Sequence, residues 1–453
     1  MIKAAGKLST SYYGRDLIVS DQQISTASSN ILQVPGDKSI SHRVLLAAAI
    51  TPKPTRLYNL NLGNAVSLLI PALKTLGVQV SLEKNVVIVS PPINDAWNQE
   101  EVYVNLGPSS AAARFLIGLL AGLRVKAVVD GDETLRTRPM DWIVEPLQEL
   151  GANIQYLGEA GCLPVVLKGG CLQDGTVQLK IGSAQARSSV LFAAFASERN
   201  VKIFYPIRSR DHTIRLFQYL GMDIQDLPGS VQIQGKCSQP LAEYHIPGDP
   251  SAAAFLAAAH IFQRRQTELV LENICLNPTR IGFFEVLKEC GIQVEYKNVR
   301  QAFGETVGTI IIGKFCENLQ PFQIKDSFLF HSLIDEIPLL VALAAIIPGQ
   351  SAIFGAKELV FKETNRLLSS QNMLLAFGGQ AKVVDDSMYI TGGLPLQAGT
   401  IPSFGDHRIA MSAAALAFSL PGSSKILLGE CYETSFPEFP QLMSLMGLNI
   451  FHC

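Results

Sequence analysis

The chain has 453 residues, of which 48% are hydrophobic and 17% are charged, and its formal net charge is −2. This length exceeds one ordinary core and predicts two domains with large buried interiors. We expect no membrane partner, because no apolar stretch is long enough to cross a bilayer. We expect no nucleic-acid partner either, because no basic face is interleaved with aromatic residues.

The eight cysteines are scattered, without a CxxC pair or a histidine cluster at zinc spacing. We interpret them as reduced thiols of a cytoplasmic protein, without a metal or disulfide role. The N-terminal stretch lacks the apolar core of a signal peptide and the arginine richness of a transit peptide. We interpret residues 1–37 as a polar extension, with a strand at 16–20, that joins the C-terminal domain.

Along the rest of the chain, a helix with a leucine-rich end, a glycine and an alternating strand recur as a unit. The copies are LKTLGVQV (73–80), LQELGANI (147–154), FQYLGMDI (217–224), LKECGIQV (287–294), LLAFGGQAKV (374–383) and LMSLMGLNI (442–450). In each copy the glycine stands where a helix C-terminus needs positive φ. The pattern predicts six surface helices, each followed by a strand.

A polar turn leading into a helix of small apolar residues precedes each copy. These helices are predicted in PGDKSISHRVLLAAAI, GPSSAAARFLIGLLAG, GSAQARSSVLFAAFA, PGDPSAAAFLAAAHI, IDEIPLLVALAAII and GDHRIAMSAAALAF. They are apolar on nearly all sides, so we expect them in the domain interiors. The chain is therefore predicted to be an α/β (α+β) protein with six βαβαββ units, three in residues 38–245 and three in residues 246–453.

If the buried helices of a domain run parallel, their N-termini bring free amide donors and positive dipole ends to one cleft. Such a cleft suits anions. The first turns of these helices and the segments between them carry Lys38, Ser39, Arg43, Arg114, Arg136, Arg138, Ser183, Ala184, Gln185, Ser209, Arg210, Asp335, Glu336, Lys362, Glu363, Arg366, Asp406, His407 and Arg408. Each residue alone is compatible with an ordinary cap or surface ion pair. Their recurrence in register across the repeats favours a focused anion site.

Several motifs resemble those of 5-enolpyruvylshikimate-3-phosphate (EPSP) synthases over about residues 31–451. They are PGDKSISHR, RTRPM, SAQ, SRDHT, NPTRIG, IDEIP, KETNR, DHRIAMS and TSFPEF. UDP-N-acetylglucosamine enolpyruvyl transferases share the family's fold but lack this set. The resemblance implies a two-domain inside-out α/β barrel, with three repeated units per domain around buried parallel helices.

The resemblance also implies transfer of the enolpyruvyl group of phosphoenolpyruvate (PEP) to the 5-hydroxyl of shikimate 3-phosphate, with release of phosphate. No metal or organic cofactor is implied. We expect a monomer whose partners are its small-molecule substrates and whose two domains close over them. PEP would be held by Lys38, Arg138, Gln185, Arg366 and Arg408, with Arg114 and Ser110 beside its site. The shikimate phosphate would be held by Ser39, Arg43, Ser183, Ala184, Gln185, Arg210, Asp335 and Lys362, with Ser209 adjoining.

The reaction requires a base at the acceptor hydroxyl and an acid at the methylene carbon of PEP. By the resemblance, Asp335 is the base and Glu363 is the proton donor and acceptor at the methylene. Lys38 would protonate the departing phosphate. Surrounding cations lower a carboxylate's pKa and burial raises it, so the sequence leaves both carboxylate pKa values open.

The turn before the second buried helix departs from the family pattern. Pro108 stands where an asparagine is usual, and Ser110 stands in place of a glycine, followed by Ala111. Ser110 adds a hydroxymethyl group at a position where glycine, which has no side chain, lets PEP approach the backbone closely. We therefore expect a tighter PEP pocket that excludes compact PEP-site inhibitors such as glyphosate.

Three further positions lack the carboxylates that are usual in the family. Asn64 and Ala65 replace an acidic pair, and Asn365 replaces an aspartate. We expect these changes to leave Lys38 or Arg366 less firmly positioned.

Three hypotheses follow for the function. The leading one is transfer to shikimate 3-phosphate with an altered PEP pocket. The second is enolpyruvyl transfer to another phosphorylated alcohol, such as a nucleotide or sugar phosphate. The third is a catalytically silent binding protein, which the retained Lys38, Asp335, Glu363 and Arg408 argue against.

Overall fold

The computed structural model describes residues 14–20, 29–93, 97, 101–237 and 239–453. Within these residues, the strands form six four-stranded sheets. The buried apolar side chains form two clusters, which are the cores of two domains. One cluster extends from Ile40 to Ile246 and includes Cys275, and the other joins residues 17–34 to residues 252–450. No described helix is both long enough and apolar enough to span a bilayer.

Two short strands come first, β1 (Leu17–Ser20) and β2 (Ile31–Gln33). β1 lies antiparallel between residues 423–427 and 449–452, and β2 lies parallel to residues 270–272, so both complete sheets of the second domain. The strand expected at 16–20 is thus present. The remaining parts of the expected polar extension, residues 1–13 and 21–28, lie outside the described residues.

The first domain contains three units, each with one helix in the core. The first unit has α1 (Lys38–Ile50), β3 (Thr55–Tyr58), α2 (Asn64–Ser67), α3 (Leu69–Thr75), β4 (Gln79–Glu83) and β5 (Val86–Ser90). The second has β6 (Val102–Asn105), α4 (Ser110–Leu123), β7 (Lys126–Asp130), α5 (Glu133–Arg136), α6 (Asp141–Glu149), β8 (Ala152–Tyr156) and β9 (Val165–Gly170). The third has β10 (Gly175–Gln178), α7 (Ala184–Ser197), β11 (Asn200–Phe204), α8 (His212–Tyr219), β12 (Ile224–Leu227) and β13 (Ser230–Gln234).

The strand β14 (Glu243–His245) precedes the second domain, which again has three units. The fourth unit has α9 (Pro250–Phe262), β15 (Leu269–Cys275), α10 (Gly282–Glu289), β16 (Val294–Ala302) and β17 (Glu305–Ile312). The fifth has β18 (Gln323–Ile324), α11 (Ser327–Ser332), α12 (Ile337–Ile346), β19 (Gly349–Ile353), α13 (Arg366–Ala376), β20 (Gln380–Val384) and β21 (Ser387–Gly392). The sixth has β22 (Thr400–Pro402), α14 (His407–Ala417), β23 (Ser423–Leu427), α15 (Phe439–Leu445) and β24 (Asn449–His452).

All six sheets share one strand order, shown by β6-β7-β9-β8 in the second unit. The strand before the buried helix pairs in parallel with the strand after it, and the last strand is inserted antiparallel next to it. Three strands come from elsewhere in the chain: β14 starts the first sheet, β2 starts the fourth and β1 fills the inner position of the sixth. The six βαβαββ units are therefore completed by exchanging strands at the chain crossings.

The predicted interior helices α1, α4, α7, α9, α12 and α14 are buried along most of their lengths, as their all-round apolar pattern indicates. α4 packs especially closely on α7, because a Cβ atom added to Gly118 would lie 2.1 Å from the carbonyl oxygen of Ser189. The six glycines predicted at helix C-termini all have positive φ, from 71° to 99°.

Candidate active site

The N-termini of the buried helices are capped by side chains and contact one another. Asp37, Ser183, Asp249 and Asp406 accept hydrogen bonds from first-turn amides of α1, α7, α9 and α14. In the first domain, Arg43 at the start of α1 reaches Ser188 Oγ on α7 at 3.0 Å, and Arg114 on α4 donates to Gln185 on α7. In the second domain, Ser251 on α9 donates to Glu336 before α12. The helix tips of each domain therefore meet, as the cleft hypothesis requires.

Asp335 lies at the centre of the cations from both domains. Arg210 Nη2 of the first domain donates to Asp335 Oδ2 at 2.5 Å, and Arg366 Nη1 of the second donates to Oδ1 at 3.1 Å. Lys362 Nζ and Arg408 Nη2 each lie 3.9 Å from an Asp335 oxygen. Burial raises the pKa of Asp335, but these four cations outweigh it and hold the pKa well below its usual range.

Glu363 is the second carboxylate of the gap. Arg366 Nη2 donates to its Oε2, and Arg138 Nη1 of the first domain lies 3.8 Å from its Oε1. Burial raises its pKa, whereas Arg366, Arg138, His407 and Lys38 lower it, and the result lies well below the usual range. Glu363 is thus ionised in the protein without substrates.

Arg366 is buried with only 1% of its side chain exposed, and three carboxylates hold it. Its Nε donates to Asp406 Oδ2 at 2.8 Å, in addition to the contacts with Asp335 and Glu363. Arg366 thus has three carboxylate partners although Asn365 supplies none, and the expectation of a less firmly positioned Arg366 stays a prediction. The side chain of Asn365 instead caps α13 by accepting from Leu368 N at 3.3 Å.

Lys38 is the first residue of α1, and the pKa of its side chain is lowered toward neutral pH. Burial lowers its pKa most and Arg408 lowers it further, while Glu363 and Asp335 raise it, giving a value of about 8. Its backbone N–H donates to Asp249 Oδ2 of the second domain at 3.1 Å. Lys38 therefore belongs to the first domain and is also held by a carboxylate of the second domain.

Arg408 is the second residue of α14 and is almost fully buried. Its Nη1 donates to Glu336 Oε1 at 3.3 Å, and its guanidinium carbon lies 5.9 Å from the ring centre of Phe255. Burial raises the pKa of Glu336, and Arg408 only partly opposes this effect. Arg408 Nε and Glu336 Oε2 are buried without a hydrogen-bond partner among the described residues.

Three arginines of the first domain are fixed by aromatic rings. The guanidinium carbon of Arg43 lies 4.5 Å from the Phe115 ring centre, that of Arg114 lies 4.8 Å from Trp142, and that of Arg187 lies 4.6 Å from Tyr205. These contacts hold charged groups in a largely buried wall while their polar edges remain available for hydrogen bonds.

The remaining expected residues line the same wall through backbone or capping contacts. The carbonyl of Ser39 accepts from Arg43 Nη1 at 2.7 Å. Ser183 Oγ caps α7, which begins at Ala184, by accepting from Gln185 N at 3.2 Å. Ser209 gives its carbonyl to Arg187 Nη2 at 3.1 Å. These residues thus lie in the same wall as the arginines, and these hydrogen bonds join them to other residues of the protein.

The unusual turn before α4 is built around two serines with different orientations. Ser110 Oγ accepts from Arg138 Nη1 at 3.3 Å, so its hydroxymethyl group faces the gap. Ser109 Oγ donates to the carbonyl of Ala65 at 2.6 Å, away from the gap. The carbonyl of Ala65 also receives a hydrogen bond from His42 Nε2 at 2.9 Å. The backbone of the Asn64–Ala65 segment therefore supports the turn without a carboxylate.

Among the described residues, one group brings possible metal ligands within 4.8 Å of one another: His212, Cys275 and Glu305. Glu305 Oε1 already accepts from His212 Nδ1 at 2.7 Å, and its Oε2 accepts from Asn277 Nδ2 at 3.1 Å. Arg215 Nε lies 3.8 Å from the same carboxylate. Because donors and a cation surround the carboxylate, we interpret the group as an interdomain ion-pair network.

Sequence reasoning assigns no role to Arg187 or Arg280, and it names Glu336 only as a helix-tip residue. Glu336 accepts from Arg408, and Arg280 contacts the capping residues of α1 and α9. Arg187 Nη2 donates to the carbonyl of Arg210 at 2.7 Å and so fixes the loop that carries Arg210. Arg280 lies in the NPTRIG motif, so the sequence marks it as part of a family motif. Its carboxylate partners, Asp37 and Asp249, come from distant segments of the chain. Their roles depend on tertiary contacts.

Comparisons with known proteins agree with this geometry. A family model described as EPSP synthase (3-phosphoshikimate 1-carboxyvinyltransferase) matches residues 22–443. A 3-phosphoshikimate 1-carboxyvinyltransferase of Alkaliphilus oremlandii is 34% identical over 92% of this chain and 97% of its own. One of Synechococcus elongatus is 36% identical over 92% of this chain and 93% of its own. The structure of EPSP synthase from Acinetobacter baumannii superposes with a TM-score of 0.84 and 30% identity, covering 97% of this chain and all of that one. The chain therefore belongs to the EPSP synthase family of carboxyvinyl transferases, with the two-domain inside-out α/β fold of that family.

Proposed function

We propose that this chain transfers the enolpyruvyl group of PEP to the 5-hydroxyl of shikimate 3-phosphate and releases phosphate. Family membership supports the reaction. The observation that supports placing the reaction in this gap is the convergence of Lys38, Arg138 and Arg408 on two carboxylates, Asp335 and Glu363. Both substrates carry a carboxylate and a phosphate, which a cluster of cations at helix N-termini binds.

The substrates divide the cations between them. PEP binds Lys38, Arg138, Gln185, Arg366 and Arg408, of which Arg138 and Arg366 pair with Glu363, with Arg114 and Ser110 adjoining. The acceptor binds the residues nearest Asp335 and the first-domain helix tips, which are Ser39, Arg43, Ser183, Ala184, Gln185, Ser209, Arg210, Asp335 and Lys362. The Arg210–Asp335 and Arg138–Glu363 contacts join the two domains, which supports closure over the substrates and exclusion of water from the adduct.

Asp335 is the proposed base at the acceptor hydroxyl. Its depressed pKa keeps it ionised, so it can accept a proton, although the same cations reduce its basicity. The acceptor phosphate competes for Arg210 and thereby weakens the pair at Asp335. Substrate binding thus increases the basicity of Asp335 when the hydroxyl oxygen forms its bond to C2 of PEP.

Glu363 is the proposed acid and then base at the methylene carbon. In the addition step its proton goes to C3 of PEP while the acceptor oxygen bonds to C2. In the elimination step the bond from C2 to the phosphate oxygen breaks, and the C3 proton returns to Glu363. Because free Glu363 is ionised, it must take up a proton on PEP binding, when substrate anions neutralise Arg366 and Arg138.

Lys38 is the proposed proton donor to the departing phosphate. A pKa of about 8 leaves it mostly protonated at neutral pH and lowers the cost of releasing the proton. We further propose a cytoplasmic monomer with domain boundaries at 37/38 and 245/246. The eight unpaired cysteines support the compartment, and the sheet membership of β2 and β14 supports the boundaries. Glyphosate insensitivity is proposed from the contact of Ser110 with Arg138.

Phosphate release from PEP tests the function, with shikimate 3-phosphate as acceptor and then with a panel of nucleotide and sugar phosphates. We expect release that depends on shikimate 3-phosphate. The second hypothesis is an acceptor other than shikimate 3-phosphate, and it rests on the departures from the family pattern at Pro108, Ser110, Asn64, Ala65 and Asn365. Phosphate release with a nucleotide or sugar phosphate, but not with shikimate 3-phosphate, would favour it. PEP binding without release from any acceptor would favour the silent binding protein and contradict the proposal.

A further inference from the structure

The chain passes between the two domains at two crossings, residues 34–37 and 246–249, which lie side by side. Asp37 N donates to Pro247 O at 2.8 Å, and Asp249 N donates to Pro35 O at 2.9 Å. A Cβ atom on Gly36 would lie 1.8 Å from the carbonyl oxygen of Asn59, so the backbones approach where no side chain fits. The crossings therefore form one tightly packed element between the domains.

Arg280 joins the two crossings through a single buried guanidinium. Its Nη1 donates to Asp37 Oδ2, and its Nη2 donates to Asp249 Oδ1 at 3.0 Å. Only 2% of the residue is exposed. A buried arginine between two carboxylates is costly to break, because removal of the cation leaves uncompensated charges.

The carboxylates that Arg280 holds also hold the first turn of α1. Asp37 Oδ1 accepts from Ile40 N at 2.8 Å, and Asp249 Oδ2 accepts from Lys38 N at 3.1 Å. The position of Lys38 in the gap thus depends on one capping residue from each crossing. Both capping residues depend on the same guanidinium.

A second path of hydrogen bonds leads from Arg280 to Arg408. Arg280 Nη2 donates to Ser251 Oγ at 3.0 Å, and Ser251 Oγ donates to Glu336 Oε1. The same oxygen of Glu336 accepts from Arg408 Nη1 at 3.3 Å. Every member of this path is buried.

We propose that Arg280 is a positioning residue that couples the interdomain crossings to Lys38 and Arg408, the two ends of its hydrogen-bond paths. The inference rests on the proposed function, which places both end residues at PEP. Both end residues are proposed for PEP, so we expect PEP binding to depend on the crossings more strongly than acceptor binding does. Two acceptor residues lie beside the paths: Ser39 is in the same first turn of α1, and Arg210 precedes His212, whose Nε2 lies 3.4 Å from Arg280 Nη1. Arg43 and Ser183, also proposed for the acceptor, lie on neither path.

The test compares Arg280→Lys with the wild-type protein by steady-state kinetics and by direct binding of each substrate. Lysine keeps the charge, but its donors lie on one nitrogen and lack the planar fork with which the guanidinium reaches Asp37 and Asp249 from two nitrogens. We expect kcat/KM for PEP to fall by about 10- to 100-fold, as misplacement of binding groups causes, and the Kd for shikimate 3-phosphate to change less than about twofold. Arg265→Lys is the matched control, because Arg265 donates to Gln263 and Met446 away from this path.

Ser251→Ala is the second variant, since it interrupts only the path to Arg408 and removes a single hydroxyl. We expect a smaller loss of PEP affinity than in Arg280→Lys, again with acceptor binding retained. Thermal unfolding of each variant accompanies the kinetics. Equal losses for both substrates, or a folded Arg280→Lys protein with unchanged PEP affinity, would overturn the proposal.

Hydrogen exchange separates this proposal from the proposed function. In Arg280→Lys we expect faster exchange of the Lys38 and Ile40 amides, measured without substrate, and unchanged exchange in Arg265→Lys. If the wild-type protein fails to turn over shikimate 3-phosphate with PEP, the proposed function fails, while the exchange data still decide the role of Arg280. Unchanged exchange at α1 in Arg280→Lys would contradict the positioning role.

Discussion

Arg210 of the first domain donates to the carboxylate of Asp335 of the second at 2.5 Å, directly across the gap. The pair consists of Arg210, which is proposed to bind the acceptor's phosphate, and Asp335, which is the proposed base. A substrate phosphate that binds Arg210 therefore competes with Asp335 for the guanidinium. The pair links acceptor binding to the appearance of a competent base.

Asp335→Asn tests the base directly. Asparagine keeps the shape and some hydrogen bonds but cannot accept the proton, so kcat is expected to fall by about 10²- to 10⁴-fold with substrate binding largely retained. Steady-state kinetics and calorimetric binding measure the two effects. Asp326→Asn is a control, because Asp326 caps α11 and asparagine caps equally well. Near-normal turnover of Asp335→Asn would remove Asp335 as the base.

Glu363 is expected to take up a proton when PEP binds. Its pKa lies well below the usual range in the free protein, and neutralisation of Arg366 and Arg138 by PEP raises it. At pH 7 the apparent binding enthalpy should vary with the ionisation enthalpy of the buffer, and Glu363→Gln should show less proton uptake. Identical uptake by the two proteins would show that Glu363 does not receive the proton.

The pH dependence of PEP use reports on Lys38. Lys38 is the proposed cation and proton donor at PEP, so deprotonation as pH rises through about 8 should lower kcat/KM for PEP. The expected decline approaches tenfold per pH unit above that value. Lys38→Arg should lose this basic limb, whatever its overall activity, because a guanidinium stays protonated. Persistence of the same limb in the variant would assign it to another group.

Ser110→Gly tests the narrowed PEP pocket. Removal of the hydroxymethyl group that contacts Arg138 should increase sensitivity to glyphosate and lower the KM for PEP. Inhibition constants measured against PEP give the comparison. Ser109→Ala is the control, because Ser109 points to the carbonyl of Ala65, and its inhibition constant should stay unchanged. An unchanged constant in Ser110→Gly would mean that this side chain does not limit the pocket.

The features predicted best from the sequence are those set by local chemistry. Glycines such as Gly77 and Gly291 end helices with positive φ, and the all-round apolar pattern of α12 identifies an interior helix. These signals lie within about ten residues of the element they define, so the repeat and the fold class follow from them.

Pairings between residues far apart in the chain could not be predicted from local sequence patterns. β1 lies between β23 and β24, more than 400 residues later, and no local pattern specifies that position. Similarly, the sequence shows that Asn365 is not a carboxylate, but not that Asp406 holds Arg366 instead. The carboxylate partners of buried cations arise from tertiary packing, which is also why Arg280 had no predicted role.

The central claim is that helix tips of both domains hold PEP and the phosphorylated acceptor together in one gap. A crystal structure of Asp335→Asn with PEP and shikimate 3-phosphate tests it most directly. We predict PEP within hydrogen-bond distance of Lys38, Arg138 and Arg408, with the acceptor's 5-hydroxyl beside residue 335 and its phosphate bound by Arg210. PEP bound outside these residues, or the two substrates in separate pockets, would contradict the account.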